Sequence, residues 1–241
     1  MTVVVESSRV RAEIDPERGA RLVSLTFDGL EVIGHADDVA EATETLGTGS
    51  YPMVPWAGRV RGLDMHGTGK DAVWEHDGDG RFHVDLPGDP WPDRGIATLD
   101  YQVADDALTA TLEWDSAGDY GCSLGFHPWF RRQVDGVEVE ADITPLRMAE
   151  RGADHLPTGR IVDPAPLPWD DCFQLAAPPR LTWPGILAIE LTTDAGWWVV
   201  YTEPTGAICV EPQTAPPDAW NHPALKPAVW PTSVSLTIRA C

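Results

Sequence analysis

The chain has 241 residues, 43% of them hydrophobic and 23% charged, which suits one folded unit with a sizeable core. Its 17 basic and 38 acidic residues give a formal charge of −21, which repels phosphate backbones and anionic membrane surfaces and argues against a nucleic-acid partner. No run approaches the roughly 18 apolar residues of a membrane span. The opening MTVVVESSRVRAE lacks the basic-then-apolar pattern of a secretory leader, so a soluble, cytoplasmic protein is expected.

The periodicity along the chain is that of strands. VVVE (3–6) and RLVSLTF (21–27) come first, and DDVAEATETLG (37–47) is the best helix candidate, acidic at its start with Gly47 as a stop. ATLDYQV (97–103) is followed by LTATLEW (108–114), in which Leu108, Ala110, Leu112 and Trp114 share one face and Thr109, Thr111 and Glu113 the other. VEVEADI (137–143), ILAIELT (186–192), WWVVY (197–201), AICVE (207–211) and SVSLTIR (233–239) continue the pattern, each bounded by turn-forming residues. About a dozen strands by this template, with one short helix or none, predict an all-β fold. The expected architecture is a large antiparallel β-sandwich with residues 1–241 in a single domain.

Two long stretches, 34–72 and 144–180, carry little strand signal, and irregular segments of that length in a compact domain tend to line sites. Cys122, Cys172, Cys209 and Cys241 are far apart, with no CxxC pair and no Cys/His cluster at zinc-binding spacing. Reduced thiols and no structural metal are therefore expected.

Four segments concentrate unusual residues: YPMVPWAGRVRG (51–62) with MHG (65–67), LGFHPWF (124–130), PWDDCF (168–173) and CVEPQTAPPDAWN (209–221). Each has an ordinary structural reading. His127 alone reads as a core histidine, Glu211 as a solvated strand end, Arg59 as a surface or ion-paired arginine and His66 as a loop histidine. His127 and Glu211 nevertheless share a device. Each precedes a proline, which excludes most of the helical region for the residue before it and aims that side chain from extended backbone.

The motifs PWAGRVR, GFHPWF, PTGR with WDDCF, and VEPQT with PPDA, in this order from about residue 20 to 240, resemble the aldose 1-epimerase (galactose mutarotase) family, in particular its shorter bacterial branch. The resemblance implies a β-supersandwich that interconverts the α and β anomers of free aldoses with no cofactor and no metal. Carried onto matching positions, His127 is the general acid at the sugar ring oxygen and Glu211 the general base at the anomeric hydroxyl. Arg59, His66 and Asp170 match substrate-binding positions. Trp129 could cover an apolar sugar face and Gln213 could bond a hydroxyl. Trp56 and Trp169, in the same motifs, read first as core residues, with stacking on a sugar as the other role. Adjacent residues of an extended chain point oppositely, so Asp170 and Asp171 are not both expected to face one pocket, and the resemblance implies that Asp170 is the one that does.

An unperturbed imidazole pKa of about 6.5 and a glutamate pKa of about 4.3 suit a charged donor beside an ionised acceptor at neutral pH. Two features depart from the family pattern. Only six residues separate Arg59 from His66, where a hairpin is usual, and Gly58 replaces the more typical asparagine. Alternative readings are a hexose-6-phosphate 1-epimerase using Arg59, Arg61 and Arg81, and a catalytically inactive sugar-binding module. A glycoside hydrolase fits less well, because Glu211 has no evident carboxylate partner. A monosaccharide ligand and a monomer or homodimer are expected, with no nucleic acid and no membrane.

Overall fold

The computed structural model describes residues 1–35, 38 and 48–241, and two antiparallel sheets dominate it. The larger has eleven strands. In spatial order they run Val3–Glu6, Val10–Asp15, Arg21–Phe27, Ser50–Met53, Gly125–Arg131, Ala207–Gln213, Trp197–Tyr201, Asp170–Leu175, Pro145–Arg151 and Pro157–Val162, with Leu30–Glu31 added to Arg21–Phe27. The smaller has eight strands: Glu140–Asp142, Arg180–Trp183, Leu187–Thr193, Ser233–Ala240, Ala107–Ser116, Gly95–Val103, Arg81–Leu86 and Glu75–Gly78.

Alternation explains how the two sheets pack. Along Ala107–Ser116 the buried Leu108, Ala110, Leu112 and Trp114 turn inward while Glu113 and Asp115 face water. Phe126, Ile208, Val210 and Trp198 of the larger sheet meet Leu99, Leu112, Ile189 and Leu236 of the smaller in one apolar cluster. Each large aliphatic or aromatic side chain buried there contributes about 1.5–3 kcal/mol. The inward face of Gly125–Arg131 and Ala207–Gln213 is thus spent on the core. Their other face is free for a site.

Two predicted features differ, and a third lies outside the described residues. The helix candidate at 37–47 falls outside the described residues apart from Asp38, and the helical turns among the described residues include Pro16–Arg18, Gly69–Asp71 and Ala219–Asn221. VEVEADI is not one strand: Val137–Glu138 pairs with Gln133–Val134 in a small ribbon, while Glu140–Asp142 joins the eight-stranded sheet. The stretch 144–180 is not irregular either, since Pro145–Arg151, Pro157–Val162 and Asp170–Leu175 all lie in it, and Ser50–Met53 lies in the stretch 34–72. These strands lack alternation because their burial does not alternate. Backbone pairing to adjacent strands makes them strands.

Candidate active site

The register of the larger sheet builds most of the site. Gly125 pairs with Gln213 and Trp129 with Cys209, so His127 and Glu211 sit midway between, directly opposite one another on the outer face. Between those pairs lie Pro128 and Pro212, which have no N–H to give to the ladder. On the far side of the Glu211 strand, Val199 pairs with Glu211 and Tyr201 with Cys209, and Asp170 then pairs with Tyr201. Tyr51 pairs with His127 on the near side. Side chains two apart share a face, so one row runs Tyr51, His127, Glu211, Val199 and the next carries Trp129, Tyr201 and Asp170.

Loops close the hollow above that face. The cavity has a volume of about 230 Å³ and is lined by His127, Trp129, Asp170, Val199, Tyr201, Glu211 and Gln213 from the sheet, and by Gly58, Arg59, Met65, His66, Pro204 and Pro217 from the loops. All seven residues singled out in the sequence therefore border one cavity: His127, Glu211, Arg59, His66, Asp170, Gln213 and Trp129. Arg61 and Arg81 do not. Arg61 pairs with Asp154, and Arg81 is exposed at the start of Arg81–Leu86 in the smaller sheet.

The short connection from Arg59 to His66 is a tight loop. The His66 N–H donates to the Gly58 carbonyl at 2.9 Å, and the Arg61 N–H donates to Asp218 Oδ1 at 3.0 Å. Gly58 has φ of +69°, and a Cβ there would lie 2.7 Å from Pro217 Cγ, so the position needs both glycine's left-handed freedom and its lack of a side chain. Residues 65–67 are pinned in turn, because a Cβ on Gly67 would lie 2.2 Å from the Val54 carbonyl oxygen. The compact loop keeps His66 at the cavity without a hairpin. Its backbone is also left-handed, φ +69°.

The polar groups converge. His127 Nε2 is 3.2 Å from Glu211 Oε1, with both side chains more than nine-tenths buried. The His127 ring lies nearly parallel to Tyr51 (centres 4.8 Å apart, planes at 27°) and Trp129 (5.3 Å, 15°), and meets His66 edge-on at 4.8 Å. Gln213 Nε2 donates to Glu211 Oε2 at 3.4 Å. Buried His66 Nδ1 and Gln213 Oε1 have no hydrogen-bond partner among the described residues. A buried polar atom that meets neither protein nor water costs about 1–3 kcal/mol.

Burial sets the protonation states. It holds His127 well below the usual histidine value, and the charges of His66, Arg21 and Arg59 act the same way. It lifts Glu211 well above the carboxylate range, helped by Asp170 and opposed by Arg59 and Gln213. His66 is lowered to about 3 by burial, then by Arg59 and Lys70. Burial thus favours the neutral imidazole and the protonated carboxyl over the charged pair, whereas residue type alone predicts imidazolium and carboxylate. The two forms hold equal numbers of protons. They differ by one proton's place across the 3.2 Å contact.

At the rim, Arg59 Nη2 lies 3.5 Å from Asp170 Oδ2 and Arg151 Nη1 lies 3.1 Å from the same oxygen. Asp171 is turned to Arg151 Nε at 3.1 Å and does not line the main cavity. Both aspartates border a smaller adjoining hollow of about 30 Å³. Of the other candidate tryptophans, Trp56 stacks on Trp91 and Trp169 packs on Phe173. As possible metal ligands, His66, His127 and Glu211 each offer an atom within 4.8 Å of the others.

No family model matches the chain, and no curated protein matches it. Solved structures do. A candidate aldose 1-epimerase of Escherichia coli K12 superposes with a TM-score of 0.81 at 15% identity, covering 100% of this chain and 99% of its own. A Synechocystis protein gives 0.78 at 19% identity, with coverage of 100% and 95%. A galactose mutarotase-like protein of Clostridium acetobutylicum gives 0.76 at 14%, with coverage of 100% and 94%. This chain has the galactose mutarotase-like fold.

Within this mutarotase-like sheet, Tyr201 and Val199 line the cavity although no motif near them marks them, and Tyr51, the first residue of the YPMVPWAGRVRG segment, joins the site by stacking on His127. The alternation of WWVVY does put Val199 and Tyr201 on one face. Which face meets the cavity depends on the pairing with Ala207–Gln213.

Proposed function

We propose that the protein is an aldose 1-epimerase acting on a free aldohexose, with His127 as general acid and Glu211 as general base. The observation that carries this reading is the 3.2 Å approach of His127 Nε2 to Glu211 Oε1 on the wall of a small cavity. At about 230 Å³ that cavity falls below the roughly 300–1,000 Å³ common for drug-sized ligands. Trp129, Tyr201 and Val199 supply apolar surface for sugar C–H groups. Arg59, Asp170, His66 and Gln213 supply partners for hydroxyls.

In the forward step the Glu211 carboxylate removes the proton from the anomeric hydroxyl while the His127 imidazolium protonates the ring oxygen. The bond from the anomeric carbon to the ring oxygen breaks, and its electron pair stays on that oxygen. The anomeric carbon becomes an aldehyde. Rotation about the bond to the next carbon presents its other face, and closure returns each proton by the reverse path. The neutral resting pair already holds the proton that His127 gives. A bound sugar donates hydroxyl hydrogen bonds to the carboxylate, and Arg59 opposes the burial that keeps it protonated, so substrate favours the working ion pair. Acid/base assistance of this kind is worth about 10²–10⁴ per group.

The charge at the rim supports a free over a phosphorylated sugar. Arg59 and Arg151 are both engaged by Asp170, and Arg151 also by Asp171, so neither of these two guanidiniums stands uncommitted for a dianion. Polarimetry of freshly dissolved galactose and glucose, beside proton NMR of glucose 6-phosphate, tests the reading. Faster anomer exchange for a free hexose is expected. Exchange at the spontaneous rate for every sugar would leave a binding module, and acceleration of the phosphate alone would favour the phosphorylated class.

A further inference from the structure

Proton transfer does not exhaust the chemistry of two imidazoles and one carboxyl gathered on a cavity wall. Four-coordinate Zn²⁺ binds imidazole nitrogen and carboxylate oxygen at about 2.0–2.2 Å. That geometry separates neighbouring donors by roughly 3.3 Å and the centres of two ligating imidazoles by about 5 Å. Here His127 Nε2 and Glu211 Oε1 are 3.2 Å apart, and the ring centres of His66 and His127 are 4.8 Å apart.

The remaining spacing is close to what an ion needs. All three donors fall within 4.8 Å of one another, so the widest gap closes by about 1.5 Å to reach tetrahedral spacing. Rotation of the Glu211 and His66 side chains can supply that. His66 brings a buried Nδ1 with no hydrogen-bond partner among the described residues. Gln213 donates to the other carboxyl oxygen of Glu211 at 3.4 Å, as an outer ligand shell does. The cavity itself leaves the fourth position open to water.

The donor set also selects the ion. Two nitrogens and one carboxylate suit Zn²⁺, Co²⁺, Ni²⁺ and Cu²⁺, whereas Mg²⁺ and Ca²⁺ require six or more oxygens. The net charge of −21 raises the local concentration of any cation. We infer that His66, His127 and Glu211 form a binding site for one divalent first-row transition-metal ion, best matched by Zn²⁺, and that this ion and the sugar exclude each other. The exclusion rests on the epimerase reading, because the ion takes the nitrogen and the oxygen that exchange protons with the sugar. The ion is therefore an inhibitor.

Cobalt reports the coordination directly. Chelator-treated protein titrated with Co²⁺ should develop the strong visible absorption of a four-coordinate ion, saturate at one equivalent, and lose the signal on addition of one equivalent of Zn²⁺. Millimolar Mg²⁺ should leave it unchanged. His66→Asn, which keeps a residue tolerant of left-handed backbone, and Glu211→Gln should each abolish it. The wild-type spectrum alone gives the coordination number, so a variant that fails to fold does not spoil the test. Weak absorption typical of six-coordinate Co²⁺, or a signal that survives both substitutions or yields to Mg²⁺, overturns the site in favour of surface carboxylates.

Polarimetry of the metal-free protein with and without Zn²⁺ tests exclusion. At least a tenfold loss of catalysed rate is expected at saturation, relieved by excess sugar. An unchanged rate with Zn²⁺ bound overturns the exclusion. If the metal-free protein accelerates no aldose, the epimerase reading fails, and the cobalt spectrum still decides the ion site.

Discussion

Glu211→Gln separates catalysis from stability in a way that follows from burial. The carboxyl is 2% exposed and its pKa lies well above the ordinary range, chiefly through desolvation. Glutamine has the same shape as the protonated acid and keeps its contact with Gln213, but it cannot accept the anomeric proton. The catalysed rate should fall by about 10²–10⁴, equivalent to roughly 2.7–5.5 kcal/mol of barrier. Stability should respond differently. In the folded wild type the carboxyl keeps its proton above pH 4.5, where the unfolded chain has lost its own. The wild type therefore loses about 1.4 kcal/mol of this contribution per pH unit until the folded group also ionises. Glutamine has no such slope. Urea unfolding at pH 6.5 and 8.5, beside polarimetry of galactose at both values, reads the two effects together. The variant should be as stable as wild type or more so at pH 8.5. A variant several kcal/mol less stable at both pH values would mean that an ionised carboxylate paired with imidazolium had been removed, and wild-type mutarotation would refute the role of Glu211 outright.

Acid should weaken the fold through the histidines. His66 is held at about 3 in the folded chain against 6.5 unperturbed, so the unfolded chain takes up the extra proton as pH falls below 6.5. This costs about 1.4 kcal/mol per pH unit down to about 3, and His127 acts in the same direction. Thermal unfolding of His66→Asn should show a shallower acid limb than wild type, and an identical limb would contradict the buried neutral state. Gly58→Ala should lose about 1–3 kcal/mol in urea, because a left-handed φ and a 2.7 Å contact with Pro217 coincide there; a neutral effect would mean that the 58–66 loop yields easily. Arg59→Met should raise KM about tenfold with little change in kcat, since the guanidinium lies at the rim beside Asp170, and a pure kcat loss would assign it to the chemical step.

The strands with one wet and one dry face were legible in the sequence. Ala107–Ser116 and Ser233–Ala240 alternate because each is half buried in the smaller sheet. Pro145–Arg151 and Pro157–Val162 gave no such signal, because their exposed and buried residues follow no period of two. His127 and Glu211 were conspicuous through the prolines after them and through the motifs around them. Tyr51 was not, since a tyrosine in a buried strand looks the same whether or not it stacks on an imidazole.

Composition and local pattern determined that this chain forms strands, which of them carry a buried face, and which residues have the chemistry to move a proton. Those properties are local: side-chain type, the two-residue period and the backbone limits of proline act within a few bonds. The tertiary structure decided the register that sets position 127 against position 211, the closure of the 58–66 loop, and the depth at which both groups lie. Register and depth depend on partners 80 or more residues away. Desolvation then pushed both groups toward their neutral forms, a direction that no residue's intrinsic acidity contains.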